Sequence, residues 1–145
     1  MVGARVASAG DGPAVAGLRH LAREDVLGKR GGEQFAESEM AGPPLDISTD
    51  SSEGEVVVGT IGDDVVGVAT LVVSGRRARL VEFFTHPEAR GVGVGHAMLT
   101  EAIELARRRN CTDLDSYALP GDRDTKNFFE SHAMKSRLLI VHRAL

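Results

Sequence analysis

The sequence predicts an α/β domain of the α+β type: a mixed, mostly antiparallel sheet of about six strands with about four flanking helices. Three observations predict it. Two β-branched runs, Val56–Ile61 and Val65–Val73, flank Gly62, Asp63 and Asp64, which reads as an antiparallel hairpin. Val94, Met98, Ala102, Leu105 and Ala106 keep helical spacing directly after a third strand-like run. A strand, helix and strand pattern then continues to the end of the chain. A length of 145 residues suits one domain over 1–145, large enough to bury a core without disulfide or metal support.

The elements follow in order. Ala4–Ala9 forms a short first strand, and Asp11 with Pro13 opens a helix. Val15, Leu18, Leu21, Ala22 and Val26 share one face of that helix, which runs to about Leu27 and stops at Gly28–Gly32. Residues 33–40 form a second short helix, ended by Gly42–Pro44, and the Ser- and Asp-rich Leu45–Gly54 is a loop. After the hairpin and a turn at Ser74–Arg76 comes a strand, Ala78–His86, stopped by Pro87. A helix over Val92–Asn110 carries Arg107, Arg108 and Arg109 in its last turn, where cations suit the helix dipole. Thr112–Leu119 is a strand, and Asp122 or Asp124 caps a further helix. Residues 135–145 form a last strand with an open edge, and a homodimer is one way to cover it.

Composition narrows the function. The chain has 26% charged residues, a net charge of −4 and only 4% aromatic residues, which argues against a nucleic-acid module. No apolar run is long enough to span a membrane, and the opening residues lack a secretory apolar core. The single cysteine, Cys111, has no internal disulfide partner, so a cytoplasmic protein is expected. Charge is unevenly placed. From Gly31 to Gly75 there are nine acids and no Lys or Arg, whereas Arg76, Arg77, Arg79 and Arg90 follow soon after. That asymmetry suits one cationic and one anionic ligand, or solvated loops with chance bias.

Gly91, Gly93 and Gly95 then pose a question, because glycine at the start of a helix costs stability. A tight turn, a close packing contact and a ligand needing bare amides are the three explanations. Helix N-termini bind phosphate through unpaired N–H groups. A P-loop is excluded because no Gly-Lys-Ser/Thr triplet is present, and the Rossmann spacing fails because its third glycine falls at His96.

The spacing that fits is Arg/Gln-x-x-Gly-x-Gly/Ala, met by Arg90, Gly93 and Gly95. With the strand before it, His86–Gly91 and Ala97–Leu99, it resembles the central motif of the GNAT superfamily of acetyl-CoA-dependent N-acetyltransferases. The order of elements resembles that family as well. The resemblance implies a GNAT-like fold in which the strands Ala78–His86 and Thr112–Leu119 splay into a V around the thioester of acetyl-CoA. It implies that Gly91, Val92, Gly93, Val94, Gly95 and His96 cradle the CoA pyrophosphate, with Arg90 at its edge. Phe84 and Thr85 would pair with pantetheine through their backbone, and Phe129 would border its tunnel. No metal is expected.

The implied reaction is direct attack of a primary amine on the thioester, which calls for a base, an oxyanion donor and a proton for the leaving thiolate. The sequence departs from the family at two places: Phe129 stands where many relatives carry a catalytic tyrosine, and Arg79 where some carry a glutamate. Glu82 is then the candidate base and Tyr117, the only tyrosine, the candidate acid. Whether Glu82 faces the cleft depends on strand parity, which a bulge reverses. Glu33, Glu37 and Glu39 favour a cationic acceptor, small-molecule or peptidyl, whereas Lys29 and Arg30 suit one with a carboxylate. A non-catalytic acyl-CoA-binding or regulatory module of the same fold is the alternative, and a structural domain with no CoA site the third reading.

Overall fold

The computed structural model describes residues 1–38 and 52–145. Five strands, β1 (Val2–Val6), β2 (Gly54–Ile61), β3 (Asp64–Ser74), β4 (Arg77–Thr85) and β5 (Asp113–Asp115), form one sheet in sequence order. The first four are antiparallel neighbours and β5 joins β4 in parallel. The helices are α1 (Gly12–Leu27), α2 (Gly32–Ser38), α3 (Val94–Arg108) and α4 (Arg123–Glu130).

Alternation along the strands sorts the core into two layers. Val56, Val58 and Val68 point to one face and meet Val15, Leu18 and Ala22 of α1. Val57, Ala69 and Leu71 point to the other and meet Val94, Met98, Leu99 and Ala102 of α3. Met98 and Leu99 are fully buried, each worth about 1.5–3 kcal/mol of transfer free energy. β3 alternates without interruption through this region, but β4 does not. Thr70 pairs with Glu82 and Leu71 with Leu80, so Val81 is an extra residue, a bulge. Ala78 and Leu80 therefore lie with α3, whereas Phe84 lies with α1.

Several expected boundaries shift, for local reasons. β1 ends at Val6 because Asp11 pulls the chain round: its carboxylate accepts Ser8 N–H at 2.7 Å and both Arg5 terminal nitrogens. The Arg5 hydrogen bond, outweighing the effect of burial and aided by Ser8, lowers the Asp11 carboxyl to about 2. A carboxyl lowered on folding stabilises the fold above its unfolded value near 3.8, and that contribution is lost as pH falls through about 2. α3 begins at Val94 rather than Val92 because Gly91 and Gly93 hold positive φ. The expected helix end at Gly42–Pro44 and most of the Leu45–Gly54 loop lie outside the described residues.

Two corrections are larger. Of Thr112–Leu119 only Asp113–Asp115 pairs with β4. The expected last strand over 135–145 is absent, leaving five strands among the described residues rather than about six. β5 leaves the sheet after Asp115 and so offers no long edge for it. The segment is held by Arg137, which donates through Nε to Asp115 at 3.0 Å, while Leu138, Leu139, Ile140 and Val141 stay exposed.

Close approach of α3 to the sheet generates a prediction. A Cβ built on Gly59 would stand 2.5 Å from Val94 Cγ1 and 2.9 Å from Met98 Cγ. Overpacking of this kind costs about 1–3 kcal/mol. Gly59→Ala is therefore expected to lower the unfolding free energy by that amount, read as a lower urea midpoint at unchanged m-value, and an unaltered midpoint would show that α3 lies further from β2.

Candidate functional site

β4 and β5 share only three paired positions, Arg77–Arg79 with Asp113–Asp115. Beyond them the two chains separate, and a cavity of about 630 Å³ opens between 80–85 on one side and 116–119 on the other. The end of α1, the loop before α3 and the inner face of α4 complete its wall. The bulge at Val81 lies at the point of separation, where an extra residue bends its strand.

Separation leaves one edge of β4 without a strand partner. His86 N–H donates to Val66 of β3 at 2.8 Å. Alternation from that bond turns the polar backbone groups of Phe84 towards β3 and those of Phe83 and Thr85 towards the gap. The edge groups expected at Phe84 thus fall to Phe83. Thr85 O already accepts from Arg90 Nε at 3.0 Å, and the Arg90 guanidinium carbon lies 5.4 Å from the centroid of the Phe84 ring.

The three glycines separate into two kinds. Gly91 and Gly93 have φ of +84° and +99°, and a Cβ on either would meet nothing within 4 Å. They form a left-handed turn that leaves open space in front of the α3 N-terminus. Ala97 N–H makes the first helical bond, to Gly93 O, so the amides of Val94, Gly95 and His96 have no acceptor within the helix. Gly95 serves packing instead. A Cβ there would stand 3.1 Å from Phe128 Cε1, so its absence lets α4 close on α3. Of the expected cofactor residues, Val92 alone stands away from the cavity wall, with its side chain pointing out at 55% exposure.

Glu82 lines the cavity from the α1 side of the sheet. Its Oε1 accepts from Thr70 Oγ1 at 2.8 Å and from Arg19 Nε at 3.0 Å. Tyr117 faces the same cavity. Its hydroxyl accepts from Arg79 at 3.3 Å, and its ring meets Phe35 of α2 edge-on at 5.3 Å. Phe129 is buried between Phe83 and Phe128, with centroids 5.3 Å away in each case, so its ring closes the wall rather than entering the space.

Lys29 is committed to the protein rather than free for a carboxylate. Its Nζ donates to Asp25 at 2.7 Å and to Asp122 at 3.0 Å, joining the end of α1 to the cap of α4. Burial lowers the Lys29 ammonium, but the two carboxylates outweigh it and raise the group overall. For Asp122, burial raises the carboxyl, and bonds from Thr125 and Lys29 outweigh it and lower the group. Glu39 lies outside the described residues. Among them, no cluster of three or more His, Cys, Asp or Glu side chains is placed to hold a metal ion, and no helix is long and apolar enough to cross a membrane.

Arg19, Thr70 and Phe83 are residues of the cavity region that the sequence reading passed over, and Asp122 was read there only as a cap. Thr70 left a signal, being the lone hydroxyl in the run Val65–Val73. Arg19 left none, since its partners are 51 and 63 residues away.

The sequence model of the acetyltransferase (GNAT) family matches residues 19–134. Among solved structures, AAC(6')-Iy in complex with a CoA bisubstrate analogue superposes with a TM-score of 0.72 at 13% identity, covering 100% of this chain and 99% of that one. A ribosomal-protein-alanine N-acetyltransferase from Brucella melitensis biovar Abortus 2308 superposes with 0.70 at 15% identity, and a transcriptional regulator from Bacillus halodurans C-125 with 0.69 at 21%, each over 100% of both chains. These likenesses show the fold. No curated protein matches the sequence at a significant level.

Proposed function

The chain belongs to the acetyltransferase (GNAT) family, and from that premise we propose that it is an N-acetyltransferase moving an acetyl group from acetyl-CoA to a primary amine. The observation that carries this reading is the open space at Gly91 and Gly93 in front of unbonded α3 amides, continuous with the gap beside β4. A thioester substrate with a diphosphate at one end and an amide chain at the other fits both. The α3 amides and Arg90 would face the diphosphate, and the Phe83 and Thr85 backbone would meet the amide chain along the β4 edge. The substrate supplies an activated acetyl group; the amine nitrogen forms the new C–N bond as the C–S bond breaks and the thiolate leaves.

Glu82 is assigned the proton of the attacking ammonium, directly or through water, with Arg19 and Thr70 fixing its Oε1. Tyr117 is assigned the proton delivered to the leaving thiolate. The acceptor enters from the side of α1 and α2, where Asp25, Glu82, Asp122 and Asp124 outnumber Lys29 on the wall, favouring a cationic small molecule or peptidyl lysine. A cytoplasmic homodimer, with Leu138–Val141 in its interface, completes the proposal. Burial of Phe129, where many relatives carry tyrosine, favours the second reading, a non-catalytic acyl-CoA-binding module.

Thermal denaturation with and without acetyl-CoA tests the binding step. Ligand at a hundred times its Kd adds about 2.7 kcal/mol. A rise in Tm is expected, lost in Gly93→Glu and partly kept in Gly93→Ala, which shares the strain at positive φ without the charge. Absence of any rise at millimolar ligand would sink the assignment. For catalysis, Glu82→Gln is expected to lower kcat by about a hundredfold with the Kd for CoA unchanged. An unchanged pH–rate profile would remove Glu82 from the reaction, and CoA binding without turnover of any amine in a broad panel would favour the second reading. Sedimentation equilibrium is expected to give a dimer that Ile140→Asp dissociates; a monomeric wild type would refute the dimer.

A further inference from the structure

We propose that Arg79 is a positioning residue for Tyr117, the acid of the transfer reaction, and that Arg137 keeps it free for that part by occupying Asp115. This inference rests on the catalytic reading above. It begins in the short ladder of β4 and β5, where Arg77 lies opposite Asp113 and Arg79 opposite Asp115. Opposite charges facing each other across a ladder are natural ion pairs. Arg77 takes its partner, with Nε 3.9 Å from the Asp113 carboxylate. Arg79 does not take Asp115, because Arg137 donates to both oxygens of that carboxylate, through Nε at 3.0 Å and through a terminal nitrogen. Among the described residues Arg79 makes no ion pair, and its one hydrogen bond runs to the Tyr117 hydroxyl at 3.3 Å. Tyr117 stands two residues beyond Asp115. Alternation places it on the same face, diagonal to Arg79 and within reach of a long side chain.

A guanidinium carries donors only. The Tyr117 oxygen therefore accepts from Arg79, and its own hydrogen points elsewhere. Among the described residues that hydrogen has no acceptor. The ring lies on the cavity wall and is held edge-on by Phe35. Tyr117 is thus fixed with a proton to give on the side where the thioester would lie. As the amine nitrogen bonds to the acetyl carbon and the C–S bond breaks, sulfur keeps the bonding pair and takes the Tyr117 proton. Water then returns a proton to the phenolate. While the phenolate lasts, Arg79 faces an anion instead of a neutral oxygen, so their bond strengthens along the reaction. The arginine at 79 and the phenylalanine at 129 then belong to one arrangement, in which the acid sits after β5 and brings its own cation. Arg137 belongs to it as well. Released from Arg137, Asp115 is the carboxylate directly across the ladder and draws Arg79 away from Tyr117.

Steady-state rates of the full chain with acetyl-CoA, and with the fastest amine from a panel of alkyl diamines and lysine peptides, test this. Calorimetry gives the Kd for CoA alongside. Both arginines are exposed, so replacing them leaves the core untouched. Arg79→Met is expected to lower kcat about tenfold with the Kd for CoA and the KM for the amine unchanged. Arg79→Lys is expected to recover most of that loss. In a Tyr117→Phe background, Arg79→Met is expected to cost nothing further, because the group it acts through is gone. Arg137→Ala is expected to lower kcat in the same way, and adding Asp115→Asn to restore it. Equal losses from Arg79→Met with and without Tyr117 would overturn the inference and leave the transfer reaction standing, as would full activity of Arg137→Ala. Failure of the wild type to acetylate any amine while binding CoA would overturn the catalytic reading itself.

Discussion

Val81 faces no partner in β3, and the side chains on either side of it consequently belong to different layers. Were Val81 an ordinary paired residue in regular alternation, Glu82 would follow Ala78 and Leu80 into the apolar layer beneath α3. With the bulge, Glu82 reaches Thr70 and Arg19 on the opposite face, and Phe83 takes the place against Phe128 and Phe129. The same irregularity coincides with the loss of β5 from the ladder, so the position of the carboxylate and the existence of the cavity are one event. Most of the polar and aromatic contacts around the site follow from this single change of parity.

The glycine cluster shows how residues of one type in one motif serve unlike constraints. Gly91 and Gly93 are required by backbone angle and front onto open space, whereas Gly95 is required by the ring of Phe128. Turn and packing, two of the competing explanations for the cluster, are distributed among its members, and the open space at Gly91 and Gly93 is where the proposed coenzyme would lie. A side chain at Gly95 would press on the Phe128 ring and so on the aromatic wall.

Much of the architecture was legible in the residues. The β2–β3 hairpin, α1 and α3 announce themselves through β-branched runs and helical spacing, because each buries one face against a single layer. The Arg90–Gly95 spacing pointed to the family that the sequence model identifies. What was not legible depends on contacts between distant segments. No local pattern marks Val81 as a bulge, since Leu80, Val81 and Phe83 all suit a strand equally. Residues 135–145 have strand composition but no strand, because a neighbour rather than composition decides pairing. Lys29, read as a free cation at the cavity lip, is claimed by a carboxylate 93 residues away.

That last bond has a consequence for communication across the molecule. Asp122 receives Lys29 from the end of α1 and, with the same side chain, accepts Thr125 N–H at 3.2 Å to cap α4. One carboxylate thus serves the cavity rim, where the proposed amine would enter, and the helix whose aromatic rings wall the cavity. A cationic acceptor at the rim would compete with Lys29 for Asp122 and, in doing so, alter the anchoring of α4. Because coupling of this kind is reciprocal, whatever tightens α4 from the other side must change how firmly the rim holds a cation. The two substrates of a transfer reaction would then sense one another through a shared cap, without touching.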